Sequence, residues 1–191
     1  MIELEIFDIV DEAGEPTGET VERSEAHLKG IRHRTSHVWL LRRNGDIVEV
    51  LVQKRSEDKD SFPGCYDISS AGHIPAGDDF IGSALRELSE ELGLELSAGQ
   101  LHFCGSKSVF TEAEFYGKPF RDNQFTRVYA VWYEPSMGNF RLQKEEISEV
   151  RWLKLSECIR LVGLGDPRFC IDPDELQMLR RFAGEETAAN V

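Results

Sequence analysis

The chain has 191 residues, 40% of them hydrophobic and 30% charged, a composition typical of a globular protein with one buried core. Its net charge of −13 argues against non-specific binding to nucleic-acid polymers or anionic membranes, since both require a basic surface. No apolar run approaches the roughly 18 residues of a membrane span. The acidic N-terminus also lacks the basic and apolar regions of a signal peptide. With four cysteines and no CxxC pair, we expect a cytoplasmic chain with reduced thiols.

The predicted elements follow one another along the whole chain. A turn containing Gly14 and Pro16 predicts a β-hairpin extension within residues 1–25, and we expect residues 184–191 to be a frayed tail. Hydrophobic periodicity, turns and caps predict a short helix at Ser24–Lys29, strands at His37–Arg42, Ile47–Gln53, Tyr66–Ala71, Leu101–Phe110, Phe125–Trp132 and Val150–Leu153, and helices at 79–92, Leu155–Val162 and Asp174–Phe182. Strands around one central helix predict a single α+β domain over residues 1–191, an α/β/α sandwich with a mixed central β-sheet.

Three glutamates share one face of the predicted helix 79–92. At about 100° per residue, Glu87, Glu90 and Glu91 fall within an arc of roughly 100°. Their repulsion costs about a few tenths of a kcal/mol per pair, and the helix dipole disfavours negative charge in the last turns. A divalent cation with hard oxygen ligands would offset both penalties. The alternative is an ordinary solvated acidic face.

The segment from 72 to 94 resembles the Nudix box, whose pattern is Gly, five residues, Glu, seven residues, then Arg-Glu-aliphatic-any-Glu-Glu-any-Gly-aliphatic. The matching positions are Gly72, Arg86, Glu87, Leu88, Glu90, Glu91, Gly93 and Leu94. One position departs from the pattern, because its first glutamate is Asp78 here. In the family this acid braces the loop against the box arginine, so we expect Asp78 to pair with Arg86 over a shorter reach.

The resemblance implies a Nudix fold and a hydrolysis in which water attacks a diphosphate linked to another group, with Mg²⁺ or Mn²⁺ as cofactor. Carried over by position, it implies that the Gly72 carbonyl and the side chains of Glu87, Glu90 and Glu91 bind the metal. The implied catalytic residues are Glu87, Glu90 and Arg86, and Arg86 would orient the glutamates.

The resemblance leaves the proton acceptor open. One of the box carboxylates, such as Glu87, could deprotonate the water, and so could an acid from a later loop. Glu145 and Glu146 precede the strand EVRWL and are candidates for such an acid. The alternative is that both are exposed loop residues with no role in the reaction.

Nearly the whole chain, from about residue 3 to 180, also resembles the type 1 isopentenyl-diphosphate isomerases and their related hydrolases. The matching stretches are EIFDIVDEAGEPTGETVER, AHLKGIRHRTSHVWLL and QKRSEDKDSFPGCYDISSAGH. An isomerase needs a cysteine and a glutamate on opposite faces of the alkene, one giving a proton while the other takes one. The matching residues here are Ala71, which has no proton to give, and Gln124, which does not titrate. The isomerases also typically lack the complete set of box glutamates, which is present here as Glu87, Glu90 and Glu91. The sequence therefore indicates a hydrolase rather than an isomerase. The complete set also argues against a diphosphate-binding protein that has lost its activity.

Some isomerase-like features survive. His27, His33 and His73 match positions that bind a metal in that family, and Asp122 matches a fourth ligand. Imidazoles with a carboxylate could hold Zn²⁺ or Mn²⁺. The alternative is that these are ordinary helix-end, loop and packed histidines.

Two cationic side chains match positions that contact the diphosphate in the isomerases and their related hydrolases. Arg55 and Lys59 would grip phosphate through charged N–H donors, although Lys59 also fits an exposed lysine with no such role. We therefore expect a small phosphorylated substrate, a nucleoside- or isoprenoid-type diphosphate, as the partner, and no nucleic-acid polymer or membrane. The sequence leaves the oligomeric state open, with a homodimer among the possibilities.

Overall fold

The protein is described here by a computed structural model that covers residues 5–59 and 61–184. Its strands and helices are β1 Ile6–Val10, β2 Pro16–Glu22, α1 Arg23–Lys29, β3 His33–Asn44, β4 Ile47–Arg55, β5 Tyr66–Asp67, β6 Ser70–His73, α2 Phe80–Leu92, β7 His102–Phe115, β8 Lys118–Trp132, β9 Ile147–Lys154, α3 Leu155–Gly163 and α4 Pro173–Phe182. The predicted tail at 184–191 lies outside the described residues except for Gly184. Among the described helices, none combines the length and apolar character needed to cross a membrane.

Seven strands form one mixed sheet with helices on both faces. The order is β5-β4-β3-β8-β7, with β6 also paired to β3 and β9 to β4. The β3–β8 pair is parallel, and the other pairs in this sheet are antiparallel. Helix α2 packs on one face, while α3 and α4 pack on the other. The predicted α+β class and Nudix-type α/β/α sandwich are confirmed.

Strand β3 divides the core between the two faces by simple alternation. Val38 and Leu40 pack with the apolar residues of α2, whereas Trp39 and Leu41 pack with those of α3 and α4. All four side chains are buried. Burial on both faces explains why this stretch reads as a continuous apolar run rather than an alternating pattern.

The prediction of one strand at Tyr66–Ala71 is wrong, because the chain there forms two short strands on different neighbours. β5 pairs with β4, and β6 pairs with β3. Between them, the Ser69 hydroxyl donates to the Leu51 carbonyl of β4 at 2.7 Å and accepts from the Leu40 amide of β3 at 2.8 Å. Ser69 thus fills the gap where β3 and β4 separate, and β6 is inserted into the sheet directly under α2.

Helix α2 is delimited by its local sequence. The Asp79 carboxylate caps its first turn by accepting from the amides of Ile81 and Gly82, both at 2.9 Å. Gly93 ends the helix with a φ of 69°, a left-handed conformation that favours glycine. The buried apolar stripe, which includes Leu88, packs on the sheet and turns the glutamate face toward β6.

The N-terminal segment forms a hairpin that packs against the start of β3 and the loop before α2. β1 and β2 pair antiparallel, and Phe7 of β1 is completely buried. The Asp8 carboxylate accepts from Arg34 at 2.8 Å and from the Gly77 amide at 2.9 Å. This contact joins the hairpin both to β3 and to the loop before α2.

We predict that the Asp79→Ala variant loses about 1 kcal/mol of unfolding free energy, because two amides of the first turn lose their acceptor. Urea unfolding followed by circular dichroism measures this value. The matched control is Asp78→Ala. This substitution removes the neighbouring carboxylate, which makes no side-chain hydrogen bond to the described residues. Equal losses in the two variants would contradict the assignment of the cap to Asp79.

Candidate active site

One cleft collects most of the residues that the sequence singled out. It has a volume of about 490 Å³ and is bounded by α2, by β6, by residues of β3, β7 and β8, and by the start of α4. The predicted site residues that line it are Arg55, Lys59, Gly72, Glu87, Glu90 and Glu91. Arg86 does not line the cleft but forms ion pairs with Glu87 and Glu90, which do.

Gly72 is required by the close approach of helix and strand. A Cβ atom added to Gly72 would lie 2.2 Å from Cδ of Glu87, far inside van der Waals contact. Gly72 is paired with Ser36 in the middle of the sheet, so its backbone cannot easily shift away. The absence of a side chain at Gly72 therefore allows the Glu87 carboxylate to lie directly on the backbone of β6.

Burial changes the protonation of two glutamates. Glu91 is 5% exposed, and its carboxylate accepts from the Ala71 amide at 3.3 Å. Burial raises the pKa of Glu91 to about 8 and the pKa of Glu87 to about 7. Arg86 opposes the shift at Glu87, while Glu90 adds to it. Glu90 itself is half exposed at the mouth of this group.

Arg86 connects the glutamates to the preceding loop. Its guanidinium lies 3.0 Å from Glu87 Oε1 and 3.4 Å from Glu90 Oε2, and donates to the His73 carbonyl at 3.4 Å. The predicted pairing with Asp78 is wrong, because the ion pairs of Arg86 to described residues are with these two glutamates. The contact between Arg86 and the His73 carbonyl links the helix to this loop. Asp78 is therefore not needed to hold the loop against Arg86.

The two predicted phosphate-binding cations are both engaged with neighbours. Arg55 lies 3.2 Å from Asp67 Oδ2 and donates to the Ser61 carbonyl at 2.9 Å. Lys59 forms an ion pair with Glu146, a half-buried residue that also lines the cleft. Of the two loop acids considered from the sequence, Glu146 faces the site and Glu145 is exposed.

The three predicted histidines come together with Asp122 beside the cleft. One ligand atom from each of His27, His33, His73 and Asp122 lies within 4.8 Å of the others. Asp122 Oδ1 is 3.6 Å from His27 Nε2 and 3.5 Å from His33 Nε2. All four facing atoms, Oδ1 and the three Nε2 atoms, are buried without a hydrogen-bond partner in the described structure. Buried polar atoms are rarely left in this state, so the group has the character of an incomplete ligand shell.

Neighbouring groups orient this cluster. The Nδ1 atom of His33 bonds the Ile31 carbonyl at 2.9 Å, which leaves Nε2 free to face the cluster. Gln124 donates to the other oxygen of Asp122 at 2.6 Å. Burial lowers the pKa of His33, and burial with His33 nearby lowers that of His73 well below its usual range. Both rings are therefore neutral at pH 7, the form that binds metals.

Phe7 stacks against two of these rings, with centroids 4.8 Å from those of His33 and His73. Phe120 of β8 approaches His27 at 4.9 Å. The N-terminal hairpin and the β7–β8 ribbon thus cover the cluster with apolar surface.

Sequence reasoning missed the group that lines the far side of the cleft. It consists of His37, Lys107, Asp172 and Glu175. Glu175 stands in an ordinary amphipathic helix, 138 residues from His37, so no spacing relates them. A lysine on the inward face of the predicted β7 strand is the one local signal, because such a position is normally apolar.

The NUDIX domain family matches residues 31–182. Nudix hydrolase 3 of Arabidopsis thaliana is 41% identical over 169 residues, which cover 86% of this chain and 21% of that protein. An uncharacterized Nudix hydrolase of Pseudomonas aeruginosa is 32% identical over 181 residues, covering 94% of each. The crystal structure of DR0079 from Deinococcus radiodurans has a similar fold, with a TM-score of 0.67 and 21% identity over 93% of this chain and 98% of that one.

The family match covers the Nudix box and most of the domain, and the bacterial relative matches almost from end to end. The prediction of a Nudix hydrolase is confirmed at this level, while the closer resemblance to isopentenyl-diphosphate isomerases stays a prediction. The chain belongs to the Nudix family.

Proposed function

We propose that the protein hydrolyses a diphosphate linked to another group, with Mg²⁺ or Mn²⁺ held by the glutamates of α2. The observation that carries the proposal is the meeting of these glutamates with two cationic side chains, Arg55 and Lys59, in one cleft. A substrate diphosphate carries several negative charges and requires such positive groups near its oxygens. The proposed substrate is a small phosphorylated compound, not a nucleic-acid polymer.

The residues fit a hard divalent cation. Glu87, Glu90 and Glu91 offer only oxygen donors beside the Gly72 backbone, the set that Mg²⁺ and Mn²⁺ prefer. Two of these carboxylates are buried at a cost that is visible in their raised pKa values. When bound, the cation supplies charge neutralisation on the phosphoryl oxygens and makes a water molecule easier to deprotonate.

We assign roles to the side chains as follows. Glu87, Glu90 and Glu91 bind the cation with the Gly72 carbonyl, and Arg86 is a positioning residue that holds Glu87 and Glu90. Arg55 and Lys59 contact the diphosphate, and we propose that Lys59 exchanges its ion pair with Glu146 for this contact. That exchange would free the Glu146 carboxylate in the cleft, so Glu146 joins Glu87 as a candidate acceptor of the water proton.

Hydrolysis is favoured over isomerisation by the two positions that an isomerase would use for proton transfer. Ala71 and Gln124 both line the cleft, and neither side chain titrates. Gln124 is also engaged with Asp122 as a hydrogen-bond donor. A silent binding protein is disfavoured because the complete glutamate set faces the cleft.

We also propose that His27, His33, His73 and Asp122 bind a transition-metal ion such as Zn²⁺ or Mn²⁺. Three imidazoles and one carboxylate form a common donor set for these ions. A bound cation would complete the bonding of four buried polar atoms that lack partners in the described structure.

The experiment that tests the proposed reaction is a substrate panel with Mg²⁺ or Mn²⁺. Nucleoside di- and triphosphates, nucleotide sugars and isopentenyl diphosphate are assayed for released phosphate, pyrophosphate or nucleoside monophosphate. We expect hydrolysis of at least one member, and a reduction of kcat by about 10³-fold or more in the Glu90→Gln/Glu91→Gln variant, because the cation loses two charged ligands.

The matched control is Glu157→Gln, which changes an exposed glutamate of α3 and should retain full activity. The double variant is checked by circular dichroism for its fold. Conversion of isopentenyl diphosphate to its allylic isomer without hydrolysis of any panel member would overturn the proposal, and so would full activity in the double variant.

We predict that the thermal stability of the protein in EDTA decreases as the pH is raised from 6.5 to 8.5, with a drop in Tm of about 5 °C. Unfolded glutamates are already ionised in this range, whereas Glu87 and Glu91 in the folded protein lose their protons there, at pKa values of about 7 and 8. The unfolded state thus binds fewer protons than the folded state, so stability decreases as pH rises. Differential scanning calorimetry measures the change.

Two comparisons check this cause. The Glu91→Gln variant keeps an acceptor for the Ala71 amide but cannot ionise, so its Tm should depend less on pH. Added Mg²⁺ should raise the Tm of the parent protein more at pH 8.5 than at pH 6.5, since protons and cations compete for the same carboxylates. A Tm that rises with pH in EDTA would contradict the raised pKa values.

The histidine site is tested with Co²⁺ as a spectroscopic probe. We expect about one equivalent to give the visible absorption bands of a four-coordinate ion, and His33→Ala to abolish them because one buried ligand is lost. The Glu90→Gln/Glu91→Gln variant should keep the bands, since it leaves the histidines intact. Bands that survive His33→Ala but disappear in the glutamate variant would place the probe on α2 and refute this assignment.

A further inference from the structure

A buried charged network lines the side of the cleft opposite the glutamates of α2 and has no part in the proposed hydrolysis. We call it the Glu175 network, and its members are His37, Trp39, Lys107, Asp172 and Glu175. Glu175 is 1% exposed and belongs to the first turn of α4. A carboxylate so deeply buried is costly unless charges and donors compensate it.

Every oxygen of Glu175 has a partner. Oε1 accepts from His37 Nδ1 at 2.8 Å and from Lys107 Nζ at 2.6 Å, and Oε2 accepts from Trp39 Nε1 at 2.9 Å. Lys107 also donates to Asp172 at 2.6 Å. Burial by itself would raise the pKa of Glu175, yet His37 and Lys107 hold that pKa at about 2. The carboxylate is therefore a fixed anion that sets the positions of both cleft-lining donors.

The network spans the width of the cleft floor. His37 lies on β3 and Lys107 on β7, with β8 between them, so their backbones are separated by two strand spacings, about 10 Å. His37 is directly paired with Ala71, the neighbour of Gly72. A substrate with its diphosphate near Glu87 would therefore extend its attached group over β3 and β8 toward Lys107.

Both donors retain bonding capacity toward the cleft. An ammonium group has three N–H bonds, and the contacts of Lys107 with described residues use two of them. His37 uses Nδ1 in its bond to Glu175, which leaves Nε2 for another partner. The two carboxylates outnumber the one permanent cation, so the network does not attract a further anionic group. A hydrocarbon chain placed here would cover these polar atoms without bonding them.

We infer that His37 and Lys107 recognise hydroxyl or carbonyl oxygens on a neutral polar group attached to the diphosphate, such as a sugar or nucleoside, and that Glu175 positions them. This inference rests on the proposed function and narrows its substrate class away from isoprenoid diphosphates. The glutamates of α2 act on the diphosphate, and the Glu175 network selects what the diphosphate carries.

The first measurement compares kcat/KM of the parent protein for nucleoside diphosphates and nucleotide sugars with that for isopentenyl diphosphate. We expect the best polar substrate to exceed isopentenyl diphosphate by about tenfold or more, as one or two bonds to a charged donor would give. An equal or higher value for isopentenyl diphosphate overturns the inference. Hydrolysis of no panel member at all would instead count against the proposed function.

The second measurement uses Lys107→Met, with Lys154→Met at an exposed position outside the cleft as the control. Lys107→Met should reduce the ratio of the two kcat/KM values about tenfold, chiefly through a higher KM for the polar substrate. The control should leave the ratio unchanged. His37→Asn provides a second variant if Lys107→Met does not fold, as judged by circular dichroism and Tm.

Binding gives a readout that does not depend on turnover. Isothermal titration of the best polar nucleotide with Ca²⁺ present should show an increase in Kd of about tenfold in Lys107→Met or His37→Asn. ADP is the probe if no panel member is hydrolysed. An unchanged ratio and an unchanged Kd in both Lys107→Met and His37→Asn would refute the assignment. Because Glu175 acts by positioning these two donors, Glu175→Gln should raise KM with little effect on kcat.

Discussion

The close packing of Glu87 on Gly72 is the contact on which the candidate site depends. It brings the last turns of α2 onto β6 and places the carboxyl groups of three glutamates beside the backbone of a buried strand. Only a residue without a side chain allows this approach. Arg86 compensates part of the charge, yet the pKa values of Glu87 and Glu91 remain raised. The fold therefore holds two carboxyl groups in a place where ionisation is costly, and a divalent cation would offset that cost.

The insertion of residues 66–73 between β3 and β4 creates this arrangement. Because β3 and β4 separate after a short paired stretch, β6 can enter the sheet beside β3, and the Ser69 hydroxyl bonds both strands at the fork. The Ala71–His73 segment then presents Gly72 to α2 and His73 to the histidine cluster. One short strand thereby takes part in both candidate metal sites.

Two polar groups beside the cleft illustrate how burial distinguishes a ligand site from a supporting network. In the histidine cluster, the facing atoms of His33, His73 and Asp122 are buried without partners in the described structure. In the Glu175 network, the buried carboxylate is bonded on both oxygens. The first pattern indicates a missing ligand, and the second indicates a fixed anion that holds its neighbours in place.

The acidity of the chain is divided among these tasks. Part of the net charge of −13 lies in the α2 glutamates, and part in the acidic residues near the N-terminus. Asp8 bonds Arg34 and the Gly77 amide, so it helps to hold the hairpin that carries Phe7 over the histidines. The structure thus gives at least one of these N-terminal acids a structural role.

The sequence by itself determined the features that depend on nearby residues. Helical spacing placed Glu87, Glu90 and Glu91 on one face. The spacing of the Nudix box identified Gly72 as its first glycine. Only the tertiary structure decided that Arg86 pairs with Glu87 rather than with Asp78, that Tyr66–Ala71 splits into two strands, and that Glu175 joins His37 and Lys107. The physical reason is that helix geometry fixes neighbours within about four residues. Contacts between distant segments depend instead on which strands pair and how helices pack on the sheet, and no local spacing encodes that choice.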